Sequence, residues 1–177
     1  ARVEKTRPIV IAAVSDATTI AKPLPENLCG LTDALDATYQ INTILKLMPT
    51  ITRISLLYSP HETNSASMVA HLKQAAQQAG LVVELVGVHE TQAIMSASTL
   101  ACQKGDAVLI PLDNQLVASM PAVIKATKSM PCAIITSNES PIHQGASVAF
   151  GVDYQQSGHD AGMLMDEIIS AVRSPKA

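Results

Sequence analysis

Residues 105–116 read GDAVLIPLDNQL, and this stretch decides the fold. Ala107 to Ile110 is a short, wholly apolar run, the pattern of a strand that a parallel sheet buries on both faces. Gly105 and Asp106 punctuate its start. Pro111 has no N–H and ends the strand's hydrogen bonding. Asp113 or Asn114 can then cap a helix, predicted over 114–128. In an open α/β sheet, ligands bind outside the carboxyl ends of the strands, where such corners lie.

Working outward, the same unit recurs. RISLLY at 53–58 is a strand that ends in the polar corner Ser59–Ser65. The helix that follows is predicted over 64–79, with Gly80 in the position a helix C-terminus favours. Residues 81–88 form a strand. Thr91 caps a helix that runs to Gln103. Pro131–Ile135 is a strand that ends at Thr136-Ser137-Asn138. A helical turn at 140–144 leads to a last strand at 146–150. Strands alternating with helices demand right-handed crossovers and a parallel sheet. The predicted fold class is therefore α/β: a doubly wound, parallel, five-stranded lobe in 2-1-3-4-5 order, with Ala107–Ile110 central.

The outer pieces fit that lobe less directly. PIVIAAV at 8–14 is a buried strand that stops at Ser15-Asp16. Residues 17–31 hold Pro23, Pro25, Asn27 and Gly30 and read as a loop. Thr32 or Asp33 caps a helix to Met48, with Ile41, Ile44 and Leu45 on one face. A final helix is predicted over 155–172, where Gly158 and Gly162 mark a close-packed face. The first strand cannot leave its backbone unpaired, so it is expected to add to a sheet edge or to pair with a second chain. The last helix is expected to dock on the lobe or to exchange in a homodimer.

Composition narrows the function. The chain is 47% hydrophobic but 2% aromatic, so Val, Ile, Leu and Ala must fill its core. A net charge of −3 without a basic cluster argues against nucleic acid, whose phosphates need a positive surface. No apolar run reaches the roughly 18 residues of a membrane helix. Cys29, Cys102 and Cys132 form no metal-ligand spacing, and the last two read as buried free thiols. No nucleophile elbow, phosphate loop or dinucleotide turn occurs, so neither an enzyme nor a cofactor is predicted. Asp16, Asp113 and Asp153 read as helix caps rather than metal ligands. His61 and His143 lie near corners but read as solvated loop histidines, with no nucleophile or metal partner.

Four strands end in polar corners: Ser15-Asp16, Ser59–Ser65, Asp113-Asn114 and Ser137-Asn138. Hydroxyls, amides and carboxylates fix small polar ligands. Helix N-termini at Ser65 and Asn114 would offer N–H groups and a positive dipole end to a carboxylate. Asp113 would suit an ammonium. Together they read as a site for a zwitterion, although each of these residues also serves as a plain helix cap.

The stretches PIVIAAVSDAT, CGLTDALD, ITRISLLYSPHETNSASMV, LIPLDNQLVAS and TSNESPIHQGASVAFGVDYQQSGHDAG come in a recognisable order. In that order, residues 8–173 resemble the ABC transporter substrate-binding proteins of the tryptophan/tyrosine type. The resemblance implies a periplasmic-binding-protein-like (type I) fold of two lobes. It implies capture of a small solute, such as an aromatic amino acid, in an interlobe cleft and delivery to a membrane permease. It implies a location in the periplasm or another extracytoplasmic space, free or lipid-anchored. It divides the chain into a first-lobe remnant at 1–31, a complete second lobe at 32–152, and a C-terminal helix at 153–177 that belongs to or packs on the first lobe. Most of a first lobe would then lie outside this sequence, as in a fragment or a shortened relative. Lobe closure is what buries the ligand, so weak binding is expected of this chain alone. Carried over by position, the cleft residues would be Ser15, Asp16, Thr32, Asp33, Asn64, Ser65, Asp113, Asn114, Ser137 and Asp153. Asn64 and Ser65 are assigned to the carboxylate and Asp113 to the amine, with Tyr58 and Tyr154 as aromatic walls. The alternative function is a ligand-sensing regulatory domain of the same fold, coupled to a signalling partner.

Overall fold

The computed structural model describes residue 4, residues 6–17 and residues 23–170. Two compact units emerge. One is continuous, Leu35–Gly151, and the other joins Ala1–Ala34 to Val152–Ala177.

The continuous unit holds five parallel strands: β3 (Arg53–Tyr58), β4 (Val82–Gly87), β5 (Ala107–Ile110), β6 (Ala133–Thr136) and β7 (Val148–Ala149). Their order is β4-β3-β5-β6-β7, the predicted 2-1-3-4-5. Successive residues of β5 face opposite ways, as a strand requires. Ala107 and Leu109 meet α1 (Ala37–Leu47) and α2 (Thr63–Gln78), which contribute Ile41, Ile44, Met68 and Leu72. Val108 and Ile110 meet the other layer, where α3 (Ile94–Lys104) and α5 (Met120–Thr127) contribute Ile94, Ala101, Met120 and Val123. Helices on both faces explain why β5 shows no polar alternation.

Close approach of the backbone fixes where β5 starts. A Cβ on Gly105 would lie 2.6 Å from Ser55 Oγ and 2.7 Å from Ser55 N. Ser55 Oγ meanwhile donates to the Ala101 carbonyl at 2.8 Å, tying the end of α3 to β3. Beside it, the Asp106 carboxylate accepts from Thr52 N and Arg53 N, both at 2.9 Å, and from Arg53 Nη2 at 3.0 Å. The Thr52 and Arg53 amides, then the Arg53 guanidinium, lower the Asp106 pKa from 3.8 to about 2.

Several expectations need correction. The helix expected from Thr32 or Asp33 begins at Ala37, because Asp36 accepts from Tyr39 N at 2.6 Å and is the cap. Thr91 opens a 3-10 turn, Thr91–Ala93, ahead of α3. The helix expected over 114–128 is two helices, α4 (Asn114–Ala118) and α5, broken at Ser119 with Pro121 in the first turn of α5. Gly80, with φ of 83°, does end the α2 region. Cys102 and Cys132 are joined by a disulfide, with Cα atoms 5.5 Å apart. Helix α3 packs beside the sheet so that its last turn meets the residue before β6, a long-range proximity that spacing does not reveal.

In the second unit, β1 (Ile9–Ile11) pairs in parallel with β2 (Leu28–Gly30), in the register Ile9↔Leu28. The first strand thus pairs within this chain, in a two-stranded sheet separate from the five-stranded one. Its partner lies inside the stretch read as a loop, where LCG is too short a run to announce itself. Helix α6 (Tyr154–Ile169) packs against β1, so the homodimer argued from unpaired elements loses its premise. Around Gly158 and Gly162 a Cβ would meet open space among the described residues, not the close-packed face expected. The expected helix end beyond 170 lies outside the described residues.

Candidate functional site

Strands β3 and β5 are neighbours, so the corners at their carboxyl ends adjoin. Asp113 is their hub. Its side chain accepts from Ser59 N at 2.6 Å, Ser59 Oγ at 2.9 Å, Ser65 Oγ at 2.7 Å and Leu116 N at 2.9 Å. The residue is 2% exposed. Among the described residues, four donors and no cation hold this carboxylate, which makes it a clamp between β3, α2 and the cap of α4. Ser65 is spent on the same clamp. Asn64 Nδ2 donates to the Leu112 carbonyl at 2.9 Å.

The start of α4 is already served by an anion of the chain itself. Glu62 accepts from Asn114 N at 2.9 Å, Asn114 Nδ2 at 3.0 Å and Gln115 N at 2.8 Å. The dipole end expected to receive a ligand carboxylate at Asn114 is therefore occupied by Glu62, a correction to the sequence reading. Ser137 stands apart: its hydroxyl donates to Gln40 Oε1 at 2.6 Å, both groups buried. Tyr58, expected as a wall, packs partly against the core.

His61 follows β3 and His89 follows β4, and the two rings meet. His89 Nδ1 lies 3.4 Å from His61 Nε2. His61 is exposed, as its reading as a solvated loop histidine expects, and its one facing ring is that of His89, also exposed.

In the other unit, Thr32 Oγ1 donates to the Ser15 carbonyl at 3.2 Å and accepts from Ala34 N at 3.0 Å. Ser15 and Asp16 are half-buried. Asp153 caps α6 by accepting from Gln156 N at 2.9 Å. The Tyr154 hydroxyl donates to Asp33 Oδ2 at 3.2 Å. Asp33 is 7% exposed, and its Oδ1 is buried without a hydrogen-bond partner among the described residues.

The family model for ABC transporter substrate binding proteins matches residues 1–174. The chain belongs to the ABC transporter substrate-binding protein family. Among curated relatives, it is 29% identical over 170 residues to the tyrosine-binding protein of Clostridioides difficile, strain R20291. That match takes in 93% of this chain and 49% of the relative, so the chain spans about half the relative's length. Among solved structures, it resembles an ABC domain from Streptococcus pneumonia in complex with L-Trp, with a TM-score of 0.82 and 29% identity. The match covers 99% of this chain and 62% of that one. It also resembles a ligand-free, open substrate-binding protein with adhesive properties from Clostridium difficile, with a TM-score of 0.81 and 26% identity. There the coverage is 99% of this chain and 61% of the other. A LacI family regulator from Arthrobacter sp. FB24, at 15% identity and a TM-score of 0.67, shares the fold alone.

Sequence reasoning found Asp113, Asn64, Ser65 and Asn114 as neighbours at one sheet edge. It held Ser59 and Glu62 only as members of the polar corner Ser59–Ser65, without their partners, and it missed Gln40 and His89. Glu62 lay within the quoted SPHETNS corner, and its position next to α2 was the available signal. Gln40 carried none, since a polar residue on a helix reads as solvated.

Proposed function

We propose that this chain is the ligand-binding part of an ABC importer's substrate-binding component and takes a small zwitterionic solute such as an aromatic amino acid. The observation that carries the reading is Asp33. A buried carboxylate oxygen without a donor is costly, and an ammonium, with three N–H donors, satisfies it. Tyr154 holds the other oxygen and sets the carboxylate's orientation. The amine role read from the sequence for Asp113 passes to Asp33, because the Asp113 oxygens are committed to the clamp. Ser15, Asp16, Thr32, Asn64, Ser137, Asp153 and Tyr154 stay proposed contacts on the family resemblance, and delivery to a permease belongs to the same proposal. No catalytic role is proposed. The names of the tyrosine-binding relative and the L-Trp complex support the aromatic preference.

An extracytoplasmic location is part of the proposal. The Cys102–Cys132 disulfide supports it, since such bonds persist in oxidising compartments. No helix among the described residues is long and apolar enough to cross a membrane.

Ligand-observed saturation-transfer NMR reads weak binding and tests the proposal. Transfer to L-tyrosine and L-tryptophan, above that to L-leucine and L-glutamate, is expected, with loss in Asp33→Asn. Equal transfer to all four, or an unchanged signal in Asp33→Asn, would overturn it.

A further inference from the structure

The exposed pair His61 and His89 takes no part in the Asp113 clamp, the Glu62 contact or the Asp33 site. Its geometry has two features that ordinary loop histidines lack. The first is the spacing. His89 Nδ1 and His61 Nε2 are 3.4 Å apart, and the ring centroids are 5.4 Å apart, so these nitrogens are the facing edges of the two rings. Hydrogen bonds from N–H groups cluster at about 2.9–3.0 Å, so this contact is a poor one. Two nitrogens bound at about 2.0–2.1 Å to one tetrahedral ion must, by that geometry, lie about 3.3–3.4 Å apart. The observed separation is the edge of such a tetrahedron.

The second feature is rigidity. Both histidines ride on backbone that other contacts hold in place. Ser59, two residues before His61, is gripped through its N–H and hydroxyl by Asp113, and Glu62 N donates to the Ser59 carbonyl at 3.1 Å. Val88, the residue before His89, is fully buried and donates its N–H to the Tyr58 carbonyl at 2.8 Å. Gly87 lets the two corners close on each other. A Cβ there would lie 3.0 Å from Pro60 Cγ and 3.6 Å from His89 Nε2. The donor pair is therefore preorganised by the ends of two adjacent strands rather than by flexible loops.

From these observations we propose that His61 and His89 form a two-histidine site for a divalent transition-metal ion of imidazole preference, with zinc as the type case. No group of three or more His, Cys, Asp or Glu donors gathers among the described residues. Both Glu62 oxygens are committed to α4. The ion is therefore held by two protein nitrogens, and its remaining positions go to water or to an external donor. Two imidazoles give a reversible site of micromolar strength, far weaker than a closed structural zinc centre.

Calorimetric titration of the tag-free chain with zinc chloride tests this. One ion per chain with a micromolar Kd is expected. His61→Ala and His89→Ala should each raise Kd at least about tenfold, and the double variant no further than either alone. His143→Ala should leave Kd unchanged. Both histidines are exposed, so the variants should melt with the parent protein. Nitrogen-15 NMR should show zinc-dependent shifts at His61 Nε2 and His89 Nδ1. Absence of binding at millimolar zinc overturns the site and leaves a long histidine–histidine contact only. So does a smaller loss in either single variant, or equal loss in His143→Ala.

Discussion

At the scale of single residues, Asp113 shows how one carboxylate organises a corner. It is buried, yet its partners are two backbone amides and two hydroxyls rather than a cation. Asp113→Ala would strand the Ser59 and Leu116 amides in the interior, at a cost of about 3–4 kcal/mol in urea unfolding. Asn114→Ala should stay within about 1 kcal/mol, because the main-chain N–H still reaches Glu62. Near-equal losses in the two variants would contradict the clamp. Gly105 matters in a different way. Its backbone is extended, so space rather than conformation excludes a side chain, and Gly105→Ala should lower stability by about 1–3 kcal/mol through overpacking against Ser55.

At the scale of elements, Asp106 joins the entry of β5 to the entry of β3. Its folded pKa, about 2, lies below the ordinary 3.8, so the ionised form is favoured by folding. The stability it adds is fully present above about pH 4 and is lost as pH falls through about 2. Asp106→Asn should flatten that part of the acid-unfolding profile and leave the neutral-pH protein less stable; an unchanged profile would remove the role. Much of this level was legible. The alternation of apolar runs with amphipathic stretches in 53–150 gave the five strands and their order, because burial on both faces imprints short runs without polar alternation. What escaped were short elements and contacts made across the fold. LCG at 28–30 is a strand only because β1 lies beside it. Ser137 and Gln40 pair across 97 positions, and neither side chain announces a buried partner. At the candidate site, the polar corners were legible as residue types, but their division between clamp, cap and open acceptor depends on which groups meet. Asp113 and Asp33 look alike in sequence and differ in the donors that surround them.

At the scale of the whole molecule, the Cys102–Cys132 bond ties the end of α3 to the start of β6, across a sequence separation of 30. Closing a loop of that length in the unfolded chain corresponds to about 3–4 kcal/mol. Reduction, or the Cys102→Ser/Cys132→Ser variant, should lower the unfolding free energy by that amount and shift the denaturation midpoint down accordingly. An unchanged midpoint would show that the link adds nothing to folding. The family match and the half-length span of a tyrosine-binding relative set the frame for the function proposed above.

Glu62 carries a consequence for selectivity. Its carboxylate sits on the first amides of α4 and joins α4 to the residue that precedes α2. An incoming sulfate or phosphate therefore meets an exchange rather than an open seat. It must return Glu62 to water and undo the link between two helices before it gains the same amides. A freely diffusing inorganic anion must therefore compete at this corner with a carboxylate tethered to the chain itself.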